Sequence, residues 1–283
     1  MVNRNSGARP RLVAAGLMIV SAAFSAPLLA QWPLYPDPSV PKTADGAPDL
    51  EAPAPRTAQG TPDLSGTWEN TWFHNGRIGQ PPVSPPGEPP ASTFSDVGAG
   101  FKEGLPLRPW AAALLKERHE WNSKENPDAL CLPMGLMQFH EHPQPRKMIQ
   151  TPAVLLILYE GNSGIRQIFT DGRPLPGDDP QPWWYGYSVG RWEGDALVVE
   201  TVGFRDGGWL DIWGSPLTDA AKMTERFRRL NYGTMQIDVT IDDPKAYTRP
   251  FSVRVNQRLS LRGELIEFVC NENNRSLDHM VGK

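Results

Sequence analysis

Two of the five histidines, His140 and His142, stand two positions apart in the segment 139–143. If this segment is a strand, both side chains lie on the same face, because side chains alternate between the two faces of a strand. Such a pair would act in acid–base catalysis, or would bind a metal ion if Glu267 or His279 supplied a third ligand. The other interpretation is a polar strand end leading into two prolines. We predict His140 and His142 as catalytic residues and predict no metal site.

A second group of candidates belongs to a proline-rich loop and the aromatic cluster that follows it. Asp171 opens the loop, and a carboxylate beside an apolar wall would have a raised pKa and act as a catalytic acid or base. The alternatives are a solvated turn aspartate and aromatic rings that only cap a core. The ligand-binding residues predicted in this loop and in a neighbouring one are Arg173, Trp183, Trp184, Tyr185, Asp206 and Trp209.

The segment Thr224–Leu230 adds one more candidate, Arg226. In a strand, Arg226 and Arg228 share one face and Phe227 lies on the other. An inward arginine pair would bind the carboxylate of a substrate, whereas an outward pair would be solvated. We include Arg226 among the predicted ligand-binding residues.

Several classes of chemistry lack their signatures in this chain. There is no G-x-S-x-G, phosphate-binding loop, dinucleotide fingerprint or Cys-x-x-Cys, so we predict no cofactor. The formal net charge is −4. Because a basic excess is the usual mark of a nucleic-acid-binding protein, we expect no nucleic acid as a partner.

The N-terminal segment predicts export. Arg4, Arg9 and Arg11 precede an apolar run, Leu12–Ala30, that ends in small residues. This pattern is typical of a signal peptide, predicted over 1–30. The protein would then be periplasmic or secreted and would have no membrane span after signal removal. An uncleaved anchor is the alternative, since the run is nearly long enough to cross a bilayer.

The chain has only two cysteines, Cys131 and Cys270, and export would place them in an oxidising compartment. In an oxidising compartment, two cysteines most economically form one disulfide bond. The alternative is a pair of buried free thiols. We predict the bond.

The remaining sequence predicts a mainly β protein. An extended leader, 31–62, contains a decapeptide, 41–50, that recurs at 55–64, and a single β-rich domain covers 63–283. Its one predicted helix lies near 107–124, where apolar residues recur at helical spacing. Strands are predicted over Gly135–His140, Arg146–Tyr159, Ile165–Thr170, Trp183–Trp192, Ala196–Phe204, Thr224–Leu230, Met235–Ile241, Phe251–Leu259 and Glu264–Cys270.

Clean alternation in two of these strands, with one apolar and one polar face, indicates an antiparallel sheet. About nine strands joined by short connections would most economically close into a barrel, which removes exposed edges. A two-sheet sandwich is the alternative.

Several segments of the chain resemble a family of exported bacterial proteins with a lipocalin-like, β-rich domain. They are PDLSGTW, NPDALCLPMGLMQFH, QPWWYGYSVGRWEGD, LTDAAKMTERFRR and LIEFVCNENN. The resemblance extends from about Pro62 to the C-terminus. It implies a lipocalin-like β-rich domain and carries over no catalytic residues. We therefore expect the antiparallel β-barrel to be lipocalin-like.

Three functional hypotheses follow. The first is an exported protein that binds a small apolar or aromatic molecule in a barrel cavity. The second is a cofactor-independent lyase, isomerase or hydrolase that uses His140 or His142 with an Asp or Arg at the barrel mouth. The third is a structural envelope protein that needs no pocket.

Overall fold

The structure is a computed structural model, and it describes residues 38–74, 77–78, 83–177, 181–261, 264–272 and 275. All of them belong to the compact unit Pro36–Lys283. The predicted signal peptide, 1–30, lies outside the described residues, as do residues 31–37 of the predicted leader and His279. Within the described ranges, no helix is both long enough and apolar enough to cross a membrane.

The described residues form short helices and a larger number of strands. The helices are α1 (Pro109–Glu120) and α2 (Leu136–Glu141), with 3₁₀ turns at Pro127–Leu130 and Gly161–Ser163. The strands are β1 (Gly66–Asn70), β2 (Phe73–His74), β3 (Arg77–Ile78), β4 (Arg146–Gln150), β5 (Val154–Tyr159), β6 (Ile165–Phe169), β7 (Tyr187–Glu193), β8 (Ala196–Val202), β9 (Gly208–Trp209), β10 (Pro216–Leu217), β11 (Lys222–Arg229), β12 (Thr234–Asp242) and β13 (Phe251–Leu259).

Nine strands close into a barrel in the order β1-β13-β12-β11-β8-β7-β6-β5-β4. The predicted barrel is confirmed. Eight of the nine neighbouring pairs are antiparallel, and β6 and β7 are parallel. The prediction of a wholly antiparallel barrel therefore needs a correction at one position. Parallel neighbours need a connection that carries the chain back to the same end of the sheet, and the proline-rich segment 170–186 does so.

Alternation of side chains explains the barrel interior. In β12, Met235, Ile237, Val239 and Ile241 are fully buried, while the residues between them are partly exposed. The inward residues of the other strands join them in one hydrophobic cluster. This arrangement, with one apolar and one polar face per strand, is what the sequence predicts for β12 and β13.

The predicted helix near 107–124 is confirmed as α1, which begins at Pro109. Proline suits the first helical turn, because the N–H that it lacks has no partner there in any case. A second helix, α2, replaces the strand predicted over Gly135–His140. All six residues of α2 are buried. A short, wholly buried run shows no periodicity that separates a helix from a strand, so the sequence was misleading here.

The strand predicted over Glu264–Cys270 is also wrong. The described residues 264–272 form no strand. The last barrel strand, β13, pairs with β1 and closes the barrel, so no free edge remains for another strand. Instead, the segment is held by a disulfide between Cys131 and Cys270, which confirms the predicted bond. The N–H of Ile266 also donates to the carboxylate of Glu160 at 3.0 Å.

The two copies of the repeated decapeptide fold alike. Each forms one antiparallel bridge, between Lys42 and Pro48 in the first copy and between Arg56 and Pro62 in the second. Arg56 then pairs with Asp195 at 2.6 Å, which ties the second copy to the turn between β7 and β8. Sequence repetition here produces a repeated turn that packs against the barrel.

Candidate functional site

A gap in the barrel wall separates β6 from β7. The two strands pair only at Ile168–Ser188 and Phe169–Val189. On the N-terminal side of these residues they leave a cleft of about 370 Å³. We call it the aromatic cleft because five rings line it. They belong to Phe169, Trp183, Trp184, Tyr185 and Tyr187.

Three of these rings form a continuous row. The ring centroid of Tyr187 lies 5.4 Å from that of Phe169 and 5.6 Å from that of Trp183. Trp183 is 37% exposed, and Ile165, which also lines the cleft, is 60% exposed. Grouped apolar side chains on a surface often mark a binding site, so the cleft is the strongest candidate in the described part of the chain.

Backbone contacts hold the aromatic segment in place. The N–H of Trp183 donates to the carbonyl of Gly203 at 2.9 Å, and the carbonyl of Trp183 accepts from the N–H of Arg205 at 2.8 Å. Gly186 has a φ of +65°, and an added Cβ would lie 2.5 Å from Cγ2 of Thr201. Only glycine fits this position without displacement. These contacts fix the backbone of the segment that carries the rings.

Arg173 and Asp171, both predicted site residues, lie at one edge of the cleft. The guanidinium of Arg173 stacks 3.8 Å above the ring of Phe169 and donates to the hydroxyl of Tyr187 at 3.3 Å. Arg173 also pairs with Asp171 at 2.6 Å. Its hydrogen bond lowers the pKa of Asp171. A catalytic acid at neutral pH would need the opposite shift, and the catalytic role of Asp171 stays a prediction.

The floor of the cleft reaches a buried ionic cluster. Arg166 and Ser188 line the cleft, yet each is only 2% exposed. Nη1 of Arg166 donates to Oε1 of Glu225 at 2.9 Å, and Nη2 pairs with the other carboxylate oxygen. Nη2 also donates to Ser188 and to Thr201 at 3.0 and 3.1 Å. These four residues stand on β6, β7, β8 and β11, which are consecutive in the barrel.

His140 completes the ionic cluster from α2. Its Nε2 lies 2.5 Å from Oε1 of Glu225. Burial opposes ionisation of Glu225, but the charge and hydrogen bonds of Arg166, with His140, outweigh it and lower its pKa to about 2. Because an ionised carboxylate only accepts hydrogen bonds, Nε2 of His140 carries the proton. Burial lowers the pKa of His140, although the hydrogen bond with Glu225 and the charge of Glu225 oppose the shift.

His142 lies in different surroundings from His140. It follows the last residue of α2, and its ring contacts Phe94 with the centroids 5.0 Å apart. Burial and the charge of Arg146 lower the pKa of His142 to about 3. Since this segment is a helix end and not a strand, the same-face argument for the two histidines fails. Among the described residues, no group of three or more His, Cys, Asp or Glu side chains could hold a metal ion.

The other predicted binding residues lie away from the lining of the aromatic cleft. Trp209 is buried beneath the guanidinium of Arg118, which is 4.2 Å from its ring. Asp206 is exposed in the turn after β8. Arg226 points outward from β11 and pairs with Glu193 at 2.9 Å. The predicted site residues that line the cleft are Trp183, Trp184 and Tyr185.

Sequence reasoning missed Arg166, Ser188 and Glu225. A signal for Glu225 was present, because Met223 and Phe227 flank it at two-residue spacing and define the apolar face of β11. A carboxylate on that face must be buried and must therefore be paired. The sequence does not show that Arg166 is the partner of Glu225, since β6 and β11 are separated by two other strands in the barrel.

Comparisons with known proteins do not assign the chain to a family. No protein-family model matches the chain, and neither the curated proteins nor the solved structures contain a match.

Proposed function

We propose that this protein binds a small aromatic molecule in the aromatic cleft. The observation that carries the proposal is the set of five rings around a cleft of about 370 Å³ in the wall of a closed barrel. Ligand pockets are commonly a few hundred Å³ in volume and lined mainly by apolar and aromatic side chains. A flat apolar ligand would stack on the row of rings and bury its faces.

The proposed site lies in the wall of the barrel and not at its centre. The sequence predicts a ligand in a barrel cavity, as in lipocalin-like proteins, but inward side chains such as Phe227, Ile237 and Val255 are fully buried and pack on one another. The barrel then acts as a rigid scaffold and the loop before β7 supplies the contacts, which is the usual division between scaffold and binding loop.

We also propose that the chain belongs to the exported, lipocalin-like family that it resembles and that it acts in the periplasm or outside the cell. The support is the signal pattern over 1–30 together with the disulfide between Cys131 and Cys270. Disulfide bonds persist in oxidising compartments. Mass spectrometry of the native protein would test export, and a mass that retains residues 1–30 would contradict signal removal.

A thermal-shift screen against planar aromatic compounds, followed by calorimetric titration of the hits, tests ligand binding. Trp183→Ala should weaken binding of a hit by about two- to tenfold, because stacking of one ring on an aromatic contributes about 0.5–1.5 kcal/mol. Trp213→Ala is a matched control, since Trp213 is 40% exposed and stacks on His119 outside the cleft.

A hit that binds wild type, Trp183→Ala and Trp213→Ala equally well would place the site elsewhere. The absence of any hit in a broad screen would favour the structural role, which needs no ligand.

One observation supports catalysis as a second candidate. Arg166 and Ser188 line the cleft and also belong to the ionic cluster, so a bound molecule would lie next to the Glu225–His140 pair. We propose a cofactor-independent lyase, isomerase or hydrolase as this alternative. Product formation from each bound compound, measured by mass spectrometry with wild type and with His140→Gln, tests it. Hits that are returned unchanged by the wild type would exclude it for those compounds.

A further inference from the structure

Three arginines contact residues of the aromatic cleft, and they differ in how many of their N–H groups are already used. Arg166 lines the cleft, while Arg173 and Arg205 lie over the rings of Phe169 and Trp184. Arg173 uses Nε and Nη2 on Asp171, with N–O distances of 2.6–3.0 Å. Its Nη1 donates to the hydroxyl of Tyr187 at 3.3 Å. Arg173 is therefore neutralised by one carboxylate and fixed at the cleft edge.

Arg166 is also fully engaged. Its Nε donates to Ser188 at 3.3 Å, and both of its terminal nitrogens donate to Glu225. With Thr201 as a further acceptor, this guanidinium has a paired charge and a fixed orientation. A ligand that reached the floor of the cleft would meet an ion pair and not a free cation.

Arg205 stands apart from the other two. Its guanidinium lies over the ring of Trp184, 4.9 Å from the centroid, and the residue is exposed. Among the described residues, no carboxylate lies within ion-pair distance of it and no side-chain hydrogen bond joins it. Its backbone N–H is fixed to the carbonyl of Trp183 at 2.8 Å. The cation is therefore tied to the cleft at its main chain while its side-chain donors are unused.

A guanidinium stacked on an indole keeps its N–H edge free. That edge holds donors in a planar fork that matches the two oxygens of a carboxylate. A cationic ligand would gain less here, because a guanidinium already lies over one face of Phe169 and another over one face of Trp184. Among the described residues at the cleft, Asp171 and Glu225 are each paired with an arginine, whereas Arg205 is paired with no carboxylate.

We infer that the aromatic cleft selects planar aromatic molecules that carry a carboxylate, and that the guanidinium of Arg205 binds the carboxylate while the row of rings binds the aromatic body. This inference rests on the proposed function, and it assigns both the chemical class of the ligand and the residue that sets the preference. Binding of the ligand makes and breaks no covalent bond.

Two probes of the same shape test the inference. 2-Naphthoate and 2-naphthamide differ in charge and share their fused rings, so the ratio of their dissociation constants isolates the carboxylate. Wild type should bind the acid about five- to tenfold more tightly than the amide, as expected for an ion pair that is partly exposed and stacked. The ratio should fall as salt is raised, because exposed charges are screened.

Arg205→Gln should reduce the ratio to about one while the amide binds as before. Lys124→Gln is the matched control and should keep the preference for the acid, since Lys124 is a cation that lies over the ring of Trp121, 3.9 Å from its centroid, outside the cleft. Equal binding of both probes by wild type would overturn the inference and leave the aromatic cleft as a binding site for neutral rings. Loss of the preference in Lys124→Gln but not in Arg205→Gln would also overturn it. If neither probe binds to wild type, the proposed function fails as well.

Discussion

Two parts of the barrel wall differ in how their strands pair. β11 and β12 are antiparallel and pair along eight residues, from Lys222–Asp242 to Arg229–Met235. β6 and β7 are parallel and pair at two residues only. The first part is a continuous wall that buries one apolar face, and the second opens into the aromatic cleft. Extensive pairing forms the continuous wall, and interrupted pairing leaves the cleft.

The ionic cluster joins these two parts. Glu225 stands on the well-paired β11, and Arg166 stands on β6 at the edge of the cleft. An interaction that spans four neighbouring strands can hold the gap at a fixed width even though few backbone hydrogen bonds cross it. The comparison therefore predicts that residues of the cluster matter for stability and that residues of the cleft matter for binding.

The largest expected effect is that of Glu225→Gln. Removal of the negative charge leaves the Arg166 cation buried without its partner, which should lower the free energy of unfolding by about 3–5 kcal/mol. Urea denaturation monitored by circular dichroism measures this. Arg226→Ala on the same strand is the control, since its pair with Glu193 is exposed and should contribute about 0–1 kcal/mol. Equal losses in both variants would show that the cluster does not stabilise the gap.

The disulfide is expected to have the next largest effect. Cys131 lies close in sequence to Pro133, which lines the cleft, and the bond to Cys270 closes a loop with a sequence separation of 139. Cys270→Ser should lower the free energy of unfolding by about 2–5 kcal/mol. Counting free thiols in the denatured, unreduced protein checks the bond itself. Two titratable thiols would contradict it.

Stability should depend on pH in opposite directions for Glu225 of the ionic cluster and for a second buried carboxylate, Glu141. Burial raises the pKa of Glu141 from its ordinary 4.5 to about 7, although its hydrogen bonds with Ser92 and Trp72 and the charge of Arg146 oppose the shift. At a pH between 4.5 and about 7, Glu141 is ionised in the unfolded chain and protonated in the folded protein. The contribution of Glu141 is therefore complete below pH 4.5 and is lost as the pH rises through 7, by about 3 kcal/mol.

Glu225 shows the opposite dependence, since its folded pKa of about 2 lies below its ordinary 4.5. Its contribution is present above pH 4.5 and is lost as the pH falls toward 2. Denaturation curves from about pH 3 to 8 should show Glu141→Gln with a shallower loss of stability between about pH 5 and 7 than wild type. An unchanged slope there would mean that Glu141 ionises normally in the folded protein.

The smallest expected effect is a difference between alanine substitutions at two glycines that have a positive φ. At Gly186, beside the cleft, an alanine would be strained and its Cβ would meet Thr201, so Gly186→Ala should cost about 1–3 kcal/mol and weaken ligand binding. At Gly194, in the turn between β7 and β8, φ is +59° and an added Cβ would have no atom within 4 Å. Gly194→Ala should cost about 1 kcal/mol and leave binding unchanged. Equal effects on binding would show that the backbone of the aromatic segment need not be fixed.

Local patterns account for what could be predicted of the fold. Strict alternation in β12 and β13 identified their buried faces, and helical spacing after Pro109 identified α1. The same approach failed at α2, where every residue is buried and no period exists to be read. It also failed at 264–270, because pairing of that segment depends on whether an edge is free, which the rest of the barrel decides.

The candidate site divides in the same way. The sequence by itself identified the aromatic residues Trp183, Trp184 and Tyr185, the proline-rich segment before them and the two cysteines that pair. Only the tertiary structure decided that β7 runs parallel to β6, that His140 faces Glu225, and that Arg205 pairs with none of the described carboxylates. The reason is physical. Alternation and turn chemistry act over a few residues, whereas the partner of a buried charge is set by the order of strands around the closed barrel.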